Sequence, residues 1–168
     1  MTTEESIGIR AVDHIGLTVP DLEAAIRFFT GALGCVELHR IGPFQAKDDW
    51  MARRLGVDRA AVIHAIVVLR CGSGANLELF HYEAPDQDPH PARNSDIAGH
   101  HVAFYVEDLD AAAARLRAHG ADILDGPTTM TAGASAGETW LYVRAPWGLQ
   151  LELVTRENGR DGARLRAG

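Results

Sequence analysis

Four side chains in this sequence have the types and spacing to hold a metal ion: His14, Glu78, His101 and Glu152. His14 stands in VDHIGLTV and His101 in HHVAFYV, both apolar-rich runs that read as strands. Glu78 stands in NLELF and Glu152 in QLELV. Strands alternate faces, so His14 shares a face with Gly16 and Thr18, and His101 with Ala103 and Tyr105. Glu78 likewise shares a face with Asn76 and Phe80, and Glu152 with Gln150 and Val154. A carboxylate between apolar neighbours is costly to bury alone, and neither short motif offers a Lys or Arg. A divalent cation resolves the cost. Two imidazoles and two carboxylates form a mixed nitrogen and oxygen set suited to one ion of Zn, Ni, Co, Mn or Fe, with room left for water or substrate. One strand histidine alone would have ordinary structural uses. Matched His and Glu positions in two halves of one chain point to the metal.

The two halves are an internal repeat. Setting His14 on His101 also sets Val19 on Val106, Asp21 on Asp108 and Leu22 on Leu109. LRCGSGANLELF (69–80) lies over VRAPWGLQLELV (143–154), matching Arg70 with Arg144, Gly74 with Gly148 and Glu78 with Glu152. His14 to Glu78 is 64 residues and His101 to Glu152 is 51, so the first half carries an insertion of 13. PFQAKDDWMARRLG (43–56) is the candidate, a loop with a short amphipathic helix whose apolar side is Trp50, Met51 and Leu55.

These residues need strands to carry them and helices to cover the other face. Each half reads as strand, helix and three strands. In the first, Val12–Val19 is a strand, Pro20 ends it, and Asp21 caps a helix to about Leu33 that Gly34 stops. Leu22, Ala25, Ile26 and Phe29 form its buried stripe. Val36–Ile41, Val62–Leu69 and Asn76–Tyr82 follow as strands. In the second half, His101–Val106 is a strand and Leu109–His119 a helix ended by Gly120. Ile123–Leu124 is a short strand, and Trp140–Val143 pairs with Leu149–Val154 as a hairpin. The fold class is α+β. A single domain is expected over 12–155, with module one at 12–82, a Pro- and Asp-rich linker at 83–98 and module two at 99–155. Residues 156–168 form a polar tail, and the small-residue loop 131–137 is a candidate lid.

The 168 residues are 46% hydrophobic, enough for a sizeable core, and the net charge is -7. That charge argues against nucleic acid and against an anionic membrane surface. No apolar run is long enough to span a bilayer, and the polar, acidic start lacks a signal-peptide pattern, so the cytoplasm is the expected location. Cys35 and Cys71 make neither a disulfide framework nor a zinc site, and are expected as two buried free thiols.

DHIGLTVPDLEAAIRFF, NLELF, HHVAFYVEDLDAA and APWGLQLELV together resemble the vicinal oxygen chelate superfamily of glyoxalase I, bleomycin-resistance proteins and extradiol dioxygenases. The resemblance runs from about Val12 to Thr155. It implies two paired βαβββ modules forming a cupped mixed sheet around a metal site, often in a homodimer, with the opening His and closing Glu of each module as ligands. His100, beside His101, points to the opposite face and lacks the register with His14. The full set of two His and two Glu is similar to glyoxalase I and to epimerases of the superfamily. The insertion and the APWGLQLELV stretch are similar to epimerases of sugar-derived cyclitols, the valiolone type, in natural-product biosynthesis.

Chemistry follows from such a site. A metal chelating a carbonyl and a neighbouring oxygen favours an enediolate, and Glu78 and Glu152 are the groups to take and return the proton. The expected enzyme is a metal-dependent epimerase or isomerase acting on a small polyhydroxylated molecule. A glyoxalase I-like lyase is the alternative, though only Arg53-Arg54 offers a basic cluster for an anionic substrate. A non-catalytic drug-binding resistance protein and an iron-dependent extradiol dioxygenase are further alternatives. Trp50, His64, Tyr105 and Trp140 are candidate pocket residues, His64 with a structural role as its plainer use. His39, His81, His90 and His119 read as surface or loop histidines, and Arg70 and Arg144 as salt-bridge formers at hairpin ends.

Overall fold

The structure is a computed structural model and describes residues 8–156. The tail beyond 156 lies outside the described residues. The described residues divide into two compact units, one up to Gln87 and one from Asp88, and each carries one sheet.

In the first unit, β1 (His14–Thr18) leads to α1 (Leu22–Leu33), β2 (Val36–Ile41), α2 (Trp50–Leu55), β3 (Val62–Arg70) and β4 (Asn76–Glu83). The sheet order is β1-β4-β3-β2, with β1 parallel to β4 and the other pairs antiparallel. Alternation sends Leu17, Val67, Leu69, Leu77 and Leu79 to one face, where all are buried with Phe28 and Phe29 of α1. The Asp21 carboxylate caps α1 by accepting from the Ala24 N–H at 2.9 Å. Gly34 ends the helix with φ of 69°, a left-handed value that glycine adopts without strain. The opposite face carries His14, Gly16, Thr18, Asn76, Glu78 and Phe80, none of them buried.

In the second unit, β5 (Val102–Tyr105) leads to α3 (Leu109–Ala118), β6 (Asp122–Ile123), β7 (Thr128–Thr129), β8 (Glu138–Arg144) and β9 (Gln150–Arg156). The order is β5-β9-β8-β6, with β5 parallel to β9 and β7 also pairing β8. Val102, Leu141, Val143, Leu151 and Leu153 form the covered face with Leu109, Ala113 and Leu116 of α3. Asp108 caps α3 as Asp21 caps α1, accepting from the Ala111 N–H at 2.9 Å. The helix ends one residue earlier than expected, at a His119 cap whose N–H bonds back to Leu116. The short strand β7 was not foreseen. Its two threonines lack the hydrophobic alternation that marks a strand in sequence.

Two expectations fail. Cys35 and Cys71 are joined in a disulfide, with Cα atoms 4.3 Å apart. They flank the Val36–Arg70 rung of β2 and β3, so antiparallel pairing brings together residues 36 apart in sequence. The insertion does form a helix, α2, but its buried residue is Met51 alone, packed with Ala61 and Ile63. Trp50 and Leu55 are exposed, because six residues present too little helix to bury a full stripe. The loop at 131–137 folds back tightly, the Gly137 N–H donating to Met130 O at 2.8 Å.

Candidate active site

The structure brings the four expected residues together as two pairs, one in each unit. In the first unit, parallel pairing of β1 and β4 sets Gly16 opposite Glu78, where a Cβ would meet the Phe80 ring at 3.4 Å. His14 reaches Glu78 from two rungs away on the same face, with Nε2 3.2 Å from Oε2. In the second unit, Ala103 lies opposite Glu152, and His101 Nε2 is 3.1 Å from Glu152 Oε2. The two carboxylates are mostly covered, at 21% and 15% side-chain exposure, yet open enough for a ligand to reach. Among the described residues, no three or more His, Cys, Asp or Glu gather into one metal-holding group.

Each imidazole also has an acceptor behind it. His14 Nδ1 lies 2.8 Å from Asp13 Oδ2, and His101 Nδ1 lies 3.0 Å from Asn94 Oδ1. A neutral imidazole carries a single N–H, so it cannot serve an acceptor at both nitrogens. Either a second proton or a cation between Nε2 and the Glu oxygen satisfies the arrangement. Accordingly, the Asp13 hydrogen bond and then the Glu78 charge raise the pKa of His14 above its ordinary value, against an opposing effect of burial. The spacing also suits a cation: two donors about 2.1 Å from one ion, at right to tetrahedral angles, lie about 3.0–3.4 Å apart. Both pairs therefore fit a divalent metal as nitrogen and oxygen donors, with Nδ1 anchored as metal-binding histidines have it.

The rest of each face differs. Across the first sheet, one rung runs Gly16, Glu78, Val68 and His39. His39, expected at the surface, is exposed but stands on the same face as Glu78, two strands away. Tyr82 stacks on Phe80 at 5.3 Å, and burial, then the Glu78 charge, raises its pKa. In the second sheet, Tyr142 is the rung partner of Glu152 and meets the His101 ring edge-on, centroids 5.2 Å apart. Trp140 lies 5.2 Å from Tyr142, and Tyr105 and Trp140 flank Val154 on that face. Two of the expected pocket residues, Tyr105 and Trp140, thus share the face of Glu152.

The other two do not join a pair. Trp50 packs against Phe44 at 5.3 Å. His64 occupies an irregularity in β3, between Ile63 and Ala65, with Nε2 2.8 Å from Glu83 Oε2 and its ring 4.9 Å from His81. His100 turns to the linker, Nδ1 3.2 Å from Ala98 O. Arg144 pairs with Asp122 at 3.7 Å. Asp13, Asn94 and Tyr142 were missed in the sequence. Alternation from Trp140 would have found Tyr142, and adjacency to His14 hinted at Asp13. Nothing local marks Asn94, which sits seven residues before His101.

A family profile described as the Glyoxalase/Bleomycin resistance protein/Dioxygenase superfamily matches residues 11–153. The chain belongs to this superfamily. It is 48% identical over 160 residues to a 2-epi-5-epi-valiolone epimerase of Actinomyces sp, covering 95% of this chain and 86% of that one. Identity of that order over nearly the whole chain makes this superfamily member an enzyme of the isomerase and epimerase class. Its fold is also that of a glyoxalase family protein from Bacillus cereus, with TM-score 0.69, 23% identity and coverage of 93% of this chain and 98% of that one. A superfamily domain from Frankia sp. EAN1pec matches with TM-score 0.62 and 20% identity, over 89% of this chain and 100% of that one.

Proposed function

We propose that this chain is a divalent-metal-dependent epimerase of a small, carbonyl-bearing, cyclitol-like molecule of the valiolone type, with His14, Glu78, His101 and Glu152 as the metal donors. The observation that carries the reading is the His–Glu pair built twice, each with Nε2 about 3 Å from a carboxylate oxygen and Nδ1 anchored behind. The identity to a valiolone epimerase supports the substrate class.

A divalent ion, when bound, supplies Lewis-acid polarisation of the substrate carbonyl. The protein's residues do the rest. His14 and His101 hold the site through Nε2. One of Glu78 and Glu152 takes the proton from the carbon beside the carbonyl, leaving an enediolate. The other returns a proton to the opposite side of that carbon, inverting it. On the face of Glu152, Trp140, Tyr142 and Tyr105 present aromatic surface for an apolar part of a ligand, and on the face of Glu78, His39 presents a hydrogen-bonding group for a hydroxyl.

The test is metal analysis of protein purified without added metal, beside His14→Ala and Glu152→Ala, followed by incubation with 2-epi-5-epi-valiolone in deuterated water. The expected result is bound divalent metal lost in both variants, and one solvent deuteron entering the substrate beside its carbonyl. Absence of metal after reconstitution with Zn, Ni, Co, Mn and Fe overturns the metal assignment. Metal with no exchange on that substrate overturns the epimerase assignment.

A further inference from the structure

The segment ahead of β5 has so far served only as a connection, yet it places one side chain with care. Asn94 Oδ1 accepts from His101 Nδ1 at 3.0 Å, on the side of the ring away from Glu152. The turn that carries Asn94 is tied at both ends. The Arg93 N–H donates to Asp96 Oδ2 at 2.9 Å, and the Asp96 N–H donates back to Arg93 O at 3.0 Å. The Arg93 guanidinium closes the same turn on the Asp96 carboxylate at 2.7 Å. The Gly99 N–H then donates to Asp96 O at 2.7 Å. Gly99 must lack a side chain, because a Cβ there would come within 2.1 Å of Arg93 O and 2.7 Å of Asp96 O. Upstream, Pro91 lies against Gly148, where a Cβ would meet Pro91 Cγ at 2.6 Å. Gly148 belongs to the turn between β8 and β9, so the segment is fastened to the hairpin that carries Glu152.

We propose that Asn94 is a positioning residue for His101, and that the tied turn 93–99 exists to deliver it. A carbonyl oxygen behind Nδ1 holds the proton on that nitrogen and turns the ring so that Nε2 faces Glu152 with its lone pair free for a cation. His14 is served by a neighbouring residue, Asp13, whose acceptor is a carboxylate. The two modules therefore reach one arrangement by different means: an adjacent residue in the first, a folded connection in the second. The proposal rests on His101 as a metal donor, but its structural half stands without metal.

The experiment has two arms. In metal-free protein, long-range nitrogen–proton spectra of the imidazoles are compared for the parent, Asn94→Ala and Asn94→Asp. Asn94→Ala is expected to change the His101 nitrogen and Nδ1-proton signals and leave those of His14 in place, while Asn94→Asp keeps an acceptor and a held proton. An unchanged His101 spectrum in Asn94→Ala overturns the proposal whether or not metal binds. In the second arm, Zn2+ affinity is measured by competition with a chelator. Asn94→Ala is expected to weaken binding about 10–100-fold, the usual effect of losing such a partner, and Asn94→Asp to restore most of it. Gly99→Ala, which displaces the turn and leaves Asn94 intact, is expected to weaken binding in the same way. Unaltered Zn2+ affinity in Asn94→Ala overturns the proposal. A parent that takes up neither Zn2+ nor any of Ni2+, Co2+, Mn2+ and Fe2+ overturns instead the assignment of His101 as a donor, and the spectra then decide the role of Asn94 alone.

Discussion

Reduction of the Cys35–Cys71 disulfide should cost the protein a large share of its stability, beginning at β2. The bond closes a loop of 36 residues that contains β2, α2 and β3. Loop-closure entropy for that length corresponds to about 4 kcal/mol, by the relation in which the unfolded chain loses freedom with the logarithm of loop size. For a chain of this length each kcal/mol moves Tm by about 2–4 °C, so reduction should lower it by roughly 8–16 °C. The loss should also have a place. β2 pairs with β3 alone in its sheet, and its six residues are all exposed, so the ladder, the disulfide and the surface pair of Arg40 with Glu23 of α1 hold it. The assay is thermal unfolding of the parent with and without reductant, alongside Cys71→Ser, with amide hydrogen exchange read at Val36–Ile41. Cys71→Ser should melt with the reduced parent and be indifferent to reductant. Equal Tm in both redox states would refute the argument, as would two titratable thiols in native protein purified without reductant.

Further outcomes are expected at the site and in the core. Glu152→Gln and Glu78→Gln should each lower kcat by about 10²–10⁴-fold, the range for loss of a positioned acid or base, measured as epimer formation with metal content followed in parallel. Phe29 is wholly buried against the first sheet, and Phe29→Ala should cost about 3–5 kcal/mol in denaturant unfolding. Glu23 has its pKa drawn below the ordinary 4.5 by its hydrogen bond to Arg40. The folded state therefore binds the Glu23 proton less readily than the unfolded chain. The stabilisation is present above the ordinary pKa and is lost as pH falls through the folded one. Both groups are at the surface, so the effect should be small and removed by salt. Glu23→Gln should reduce the slope of stability against pH below about 4.5, which acid titration of the melting curve would reveal.

Much of this protein is legible as a string because its determinants are local and occur twice. Period-two alternation in HIGLT and NLELF sets which side chains meet the core, and it does so again in VAFY and QLELV. The Pro-Asp and Glu-Asp-Leu-Asp starts place the helix caps, since an aspartate oxygen reaches the N–H three residues on wherever the chain enters a helix there. The His and Glu of each pair were visible for the same reason: matching residues at matching points of a repeat need no coordinates. What pairing across the sheet creates was hidden. Cys35 and Cys71 meet only because β2 and β3 run antiparallel with Val36 against Arg70, and His39 joins the face of Glu78 only through Val68, after a register shift between Glu37 and His39. Asn94 was hidden most completely. Its place behind His101 depends on a turn closed by Arg93, Asp96 and Gly99, contacts without periodicity, so that only the folded chain turns a connecting segment into support for the site.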